Sequence, residues 1–216
     1  MKGLIRKDFI CVRRLYAKVV LPMIALYWIL AVFSGREGAG ASSFGSTLAI
    51  LFSVFPLATF SVDKASHWDR YALSGPVDRR MMVLAKYLFS WGAIAVGALV
   101  TLIYILTVFL VRGGWRASEF LEEAGAALIF SAVGLLFNSL LLPCVYRFGV
   151  EKARLLLFLL VGVPLALSLL VRAFSIPSPS EAMLHLLKLF APVLLALTAY
   201  LSYRLSLHIY KKQEID

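Results

Sequence analysis

The sequence predicts an all-α membrane protein with six transmembrane helices. A single domain spans residues 1–216, with an amphipathic helix along the inner leaflet at 1–18 and a short cytoplasmic helix between the second and third spans, in the segment 63–82. Three observations predict it. Of the 216 residues, 61% are hydrophobic and only 16% charged, with a mean hydropathy of +0.87, far from the make-up of a soluble domain. The apolar residues gather into runs of roughly 17–25, the length a helix needs to cross about 30 Å of hydrocarbon. The basic residues fall in alternate loops, as the positive-inside rule requires.

The opening stretch MKGLIRKDFICVRRLYAK places Leu4, Ile5, Phe9, Val12 and Tyr16 at helical spacing, with Lys2, Arg6, Lys7, Arg13 and Arg14 elsewhere on the wheel. That pattern reads as an interfacial amphipathic helix before the chain turns into the membrane. Its alternative is a plain positive flank of the first span. No small-residue cleavage site follows a short apolar core, so the segment is expected to stay in the mature protein.

Six apolar runs follow, near 19–34, 44–62, 87–111, 124–146, 155–171 and 185–207. The first is short and contains Pro22, but Tyr16, Tyr27 and Trp28 supply interfacial anchors. Lys188 and Arg204 near opposite ends of the last can each reach an interface, and Pro192 should bend it. Seventeen of the 22 basic residues flank the N-terminus, the second-to-third and fourth-to-fifth connections and the C-terminus. Only Arg36, Arg112, Arg116, Arg172 and Lys188 fall on the other side, so both termini are predicted cytoplasmic, in a bacterial inner (plasma) membrane. The net charge of +10 is then a topology signal with attraction to anionic lipid, and calls for no nucleic-acid partner.

Two connections carry further signals. Ser178-Pro179-Ser180-Glu181 reads as a capping box opening a helix outside the hydrocarbon. From there to residue 209 is about 31 residues, roughly 46 Å, so that helix either protrudes or breaks near Pro192 into an outer hairpin. The inner segment DKASHWDRYALSGPVDRRMM (63–82) mixes Asp63, Asp69 and Asp78 with basic residues and with Trp68 and Tyr71. Ser66 can cap a short helix carrying Trp68, Tyr71 and Ala72, ended by Gly75-Pro76. Exposed aromatics beside paired charges suit docking into a groove of another protein. The alternative is a loop anchored at the headgroups by the same two rings.

Catalytic motifs are missing. The chain has no Gly-rich phosphate loop ending in Gly-Lys-Ser or Gly-Lys-Thr, no HExxH and no paired-cysteine metal motif, so neither a cofactor nor a metal is expected in it. His67, His185 and His208 are dispersed, and Cys11 and Cys144 read as packing residues. Glu122-Glu123 resembles the paired acids that open the motif of intramembrane prenyl-protein proteases, but no arginine follows at the required offset. They read as first-turn acids of a helix at the outer face. The spans hold almost no ionisable residues near their middle, which disfavours an ion-coupled carrier. Small residues at helical spacing, Ala93 with Gly97 and Ala127 with Ser131, permit close helix packing.

The order of these parts resembles the permease subunits of ABC-2-type transporters, in particular small bacterial six-helix ones that pair with a separate ATPase. MKGLIRKDF resembles the family's basic elbow helix, which implies elbow positions at Arg6, Lys7, Asp8, Phe9, Arg13 and Arg14. The segment from Asp63 to Leu88, with its acids, aromatics and Pro-Val-Asp-Arg-Arg run, resembles the loop leading into the third helix. The resemblance implies a coupling helix at 66–74 resting in a cleft of the nucleotide-binding subunit. Asp63, Ser66, Trp68, Asp69, Arg70 and Tyr71 would make the contact, with Arg79 and Arg80 flanking it.

It further implies an ATP-driven exporter of an amphipathic or hydrophobic cargo, a peptide such as a bacteriocin or antimicrobial peptide, or a lipid. ATP and magnesium would be held by cytoplasmic ABC ATPase subunits, and a second copy or a related permease would complete the pathway. The sequence departs from the family in Ser74 before Gly75-Pro76, where a leucine more often precedes the proline, and in lacking a large outer domain. Two other readings remain. An intramembrane enzyme acting on lipid or prenylated protein would need converging polar residues, for which Asn138 and Tyr104 are isolated candidates. A membrane scaffold or signalling protein would use the same inner loop for a different partner.

Overall fold

A computed structural model describes residues 2–33, 41–112, 117–173 and 181–212, and all of these lie in helices or in the short turns around residues 66–78. The helices are α1 (Lys2–Phe33), α2 (Ala41–Ala65), α3 (Trp68–Leu73), α4 (Arg79–Arg112), α5 (Ala117–Ala173) and α6 (Glu181–Lys212). Three of the described segments are long and apolar enough to cross a membrane: Arg79–Val111, Ala117–Ala153 and Phe190–Lys212. They coincide with the expected third, fourth and sixth spans.

α1 runs unbroken for 32 residues. The expected turn between an N-terminal surface helix and the first span is therefore absent, because no Gly or Pro between Leu4 and Leu21 gives the backbone a place to turn. The two stretches are one helix. The inner connection expected between the fourth and fifth spans is also different. Arg147, Lys152 and Arg154 all lie in α5, which is two helices meeting at a single residue, Gly149, with φ 80 and ψ 171. That backbone region is open almost only to glycine, so Gly149 places the break. α6 continues through Pro192 for 32 residues, roughly 48 Å, so of the two expected alternatives the helix is long rather than broken. Of the expected capping box Ser178-Pro179-Ser180-Glu181, the first three residues lie outside the described residues, and α6 is described from Glu181.

The chain packs as two compact units, residues 1–135 and 136–214. In the first, α4 packs against α2 and α1 around Val12, Val20, Leu48, Phe52, Phe55, Phe89, Tyr104 and Ile105. The Phe52 and Phe55 rings meet at a tilt with centroids 4.8 Å apart, and Phe55 meets Tyr16 at 5.1 Å. Gly97 allows this approach: a Cβ there would sit 3.0 Å from the Phe52 ring. The periodicity of α4 separates two faces. Ile94, Thr101, Tyr104 and Ile105 are buried, while Leu99, Ile103, Leu106 and Leu110 form an exposed apolar stripe at i, i+4, i+7 and i+11. Such a stripe is stable only against lipid or another apolar surface.

In the second unit the Ser202 hydroxyl donates to the Ser139 carbonyl, joining α6 to α5, and Tyr146 packs on Tyr210 with ring centroids 5.3 Å apart. Asn138 is fully buried beside Ser139, with neither amide atom hydrogen-bonded. An apolar stripe of Phe190, Leu194, Leu197, Leu201 and Leu205 covers the exposed face of α6.

Candidate functional site

The site begins with three largely apolar helix faces, each interrupted by one charged residue and, on α2, also by Thr59. On α1 the stripe Ile5, Phe9, Val12 and Tyr16 is continued by Asp8, which is 1% exposed. On α2 the inner face Phe52, Phe55 and Thr59 ends at Asp63, and on α4 Met82 and Val83 are followed one turn on by Lys86. Helix packing brings these positions to one point. A buried charge is tolerated only when paired and hydrogen-bonded, and here each is.

Lys86 Nζ uses all three of its donors: 2.9 Å to Asp8 Oδ1, 2.7 Å to Asp63 Oδ2 and 2.9 Å to Thr59 Oγ1. Thr59 in turn donates to the Pro56 carbonyl at 2.8 Å, inside the α2 turn that Pro56 perturbs. Lys7 closes the ring from the other side, 2.5 Å from Asp63 Oδ1 and 3.2 Å from Asp8 Oδ1. Two cations and two carboxylates thus form a neutral, largely buried cluster joining α1, α2 and α4. Cys11 lies close enough to feel it. Burial first, then Asp63 and Asp8, raise its thiol pKa above the ordinary 9.0, so the thiol stays protonated.

The cluster reaches the short helix α3 through Lys7, whose ammonium lies 4.6 Å from the Trp68 ring centroid, a cation–π contact. Trp68 meets Tyr71 in a tilted ring contact at 5.4 Å, and Tyr71 is 72% exposed. Ala72 is the buried residue that seats α3. Ser66 does not cap α3 as expected: its hydroxyl donates back to Val62 O at 2.9 Å and Asp63 O at 3.3 Å, closing α2 instead. The N-cap position belongs to His67, left-handed at φ 49, and its strained backbone makes the sharp turn between α2 and α3. The C-terminal end matches expectation, with Gly75 N donating to Ala72 O just after Ser74.

Asp69 stands partly buried on α3. Burial first, and then the negative charge of Asp63, raise its pKa above 3.8, with Lys86 and Lys7 opposing. Arg70 is exposed on the same helix, and Arg79 and Arg80 form the first turn of α4, with Asp78 just before them. Of the expected elbow positions, Lys7 and Asp8 enter the cluster, whereas Arg6, Phe9, Arg13 and Arg14 are exposed on α1. Lys86 and Thr59 were not expected at the site. Their signal in the sequence is a polar residue on an otherwise apolar helix face, the same signal that Asp8 gives. Tyr104 and Asn138, the isolated polar candidates of the enzyme reading, are both buried, one on α4 and the other on α5.

A buried charge cluster thus joins α1, α2 and α4, and through Lys7 it reaches the short helix α3 with its exposed Tyr71. Residues 3–211 match the model of the ABC-2 family transporter protein. The chain belongs to the ABC-2 transporter family. No curated protein and no solved structure gives a significant match. Membership makes the chain a membrane protein and the permease part of an ABC transporter, a family whose membrane subunits are typically non-catalytic and usually work with an ABC ATPase.

Proposed function

We propose that this ABC-2 permease is the six-span subunit of a bacterial inner-membrane exporter, with both termini cytoplasmic and α3 as its coupling helix. Two permeases, identical or related, face each other above two ATPase subunits that bind ATP and magnesium. The cargo is an amphipathic or hydrophobic molecule, a peptide of the bacteriocin or antimicrobial class or a lipid, because the apolar helices offer little to a small ion. The N-terminal third of α1 acts as the elbow, continuous with the first span.

The observation that carries the reading is the path from Tyr71 and Trp68 through Lys7 to Asp63, Lys86 and Asp8. A push on the exposed face of α3 reaches α1, α2 and α4 together, since the buried ion pairs hold their ends as one body. ATP-driven closure of the ATPases would then move these helices and change the seam through which cargo leaves. Asp69 supports a basic partner at this face: its ionisation is disfavoured in the isolated chain, and a cation on the ATPase would offset that cost.

The test is a mild-detergent purification of the tagged chain from its native membrane, with and without Trp68→Ala combined with Arg70→Ala. Vanadate-sensitive ATPase activity co-purifying with the unmodified chain, and lost or uncoupled from export in the variant, is the expected outcome. Survival of both export and ATPase stimulation in the variant ends the coupling assignment.

A further inference from the structure

Beside the charge cluster, α1, α2 and α4 enclose an apolar groove of 540 Å³, the size of a small-molecule site. Its walls include Phe9, Phe52, Phe55 and Gly92, and the polar groups on its lining are two cations, Lys2 and Arg6. These are four apart on α1 and so share a face, both exposed. Phe9 is 60% exposed, so the groove opens at the surface. Gly92, itself exposed, leaves its wall open: a Cβ there would meet nothing within 4 Å.

We propose that this groove binds one anionic phospholipid, its acyl chain between Phe9, Phe52 and Phe55 and its phosphate at Lys2 and Arg6. The charge arrangement selects the occupant. A cationic amphipathic peptide would meet like charge at the rim, and a free phosphate would leave the apolar walls unused. A zwitterionic phospholipid fills the walls and brings the same phosphate, but it also sets its own cation beside Lys2 and Arg6, which weakens that contact. Basic pockets between helices on the cytoplasmic side are suited to anionic headgroups. The site is separate from the coupling face, so its occupancy is measurable on the full-length permease alone, whatever ATPase it joins.

The experiment measures retention of labelled phosphatidylglycerol and phosphatidylcholine by the full chain in non-ionic detergent. At about five-fold per basic residue near the headgroup, the pair predicts a preference for phosphatidylglycerol of about 25-fold. Lys2→Gln with Arg6→Gln, both exposed positions, should bring the two lipids close to parity, chiefly by lowering retention of phosphatidylglycerol. Gly92→Leu should lower retention of both lipids, since it fills the groove. Equal retention by the unmodified chain, or a preference that survives the Lys2 and Arg6 substitutions, overturns the proposal. So does efficient disulfide cross-linking of Phe9→Cys between two copies, which would assign the groove to a second permease.

Discussion

Lys86 Nζ lies 2.9 Å from Asp8 Oδ1, a contact between residues 78 positions apart that ties the start of α1 to the first turns of α4. Both are almost fully enclosed, and the same ammonium holds Asp63 on α2. The pairing therefore fixes the relative positions of three helices at the end from which α3 emerges.

Removing one member of such a buried set leaves charges without compensation. Lys86→Met should destabilise the chain by about 3–5 kcal/mol, a fall in Tm of about 10 °C for a chain of this size. Adding Asp8→Asn should recover part of that loss, because Lys7 and Asp63 still pair. Thermal unfolding in detergent measures both. A Lys86→Met protein with unchanged Tm would mean that the cluster carries no weight.

Asp69 gives a pH prediction whose sign follows from its raised pKa. In the unfolded chain it ionises near 3.8, in the fold only at higher pH. The folded state is therefore favoured below that value, and the advantage is lost as pH rises through the folded pKa. Asp69→Asn should accordingly raise Tm at neutral pH and leave it unchanged in acid below 3.8. A lower Tm at neutral pH would show that the ionised carboxylate stabilises the fold.

Gly149 predicts a cost that is purely conformational. Its φ of 80 with ψ of 171 is forbidden to other residues without strain, yet a Cβ there would touch nothing within 4 Å. Gly149→Ala should cost about 1–3 kcal/mol, visible as a lower Tm, and Gly149→Val more. Equal stability of the alanine variant would place the break elsewhere in α5.

Much of this fold is legible in the sequence because lipid demands long apolar runs. The third, fourth and sixth spans emerge from length and hydropathy alone, and α3 lies where Gly75-Pro76 stops it. Local capping is harder to read. Ser66 has two backbone partners within reach, and it takes the carbonyls of the helix behind it because His67 adopts the left-handed turn. The charge cluster is concealed for a different reason: Lys7 and Lys86 carry the same charge as every topology signal around them. Asp8 is the legible member, an acid on the apolar stripe of a basic helix, and its burial reveals where the others converge. The break at Gly149 is written as a single glycine among charged residues, and a loop of several residues leaves much the same trace.

The central claim is that α3 meets an ATPase, and Tyr71 tests it most directly because its ring is exposed and in contact with Trp68. A photo-cross-linking side chain placed at Tyr71 in the native membrane, with Leu128 on the exposed apolar face of α5 as control, reports what each position touches. The account predicts a cross-link from position 71 to a cytoplasmic ABC ATPase subunit and lipid adducts alone from position 128. Lipid adducts alone from position 71 would contradict it, because α3 would then be a headgroup anchor and the path from Trp68 to Lys86 would couple to nothing.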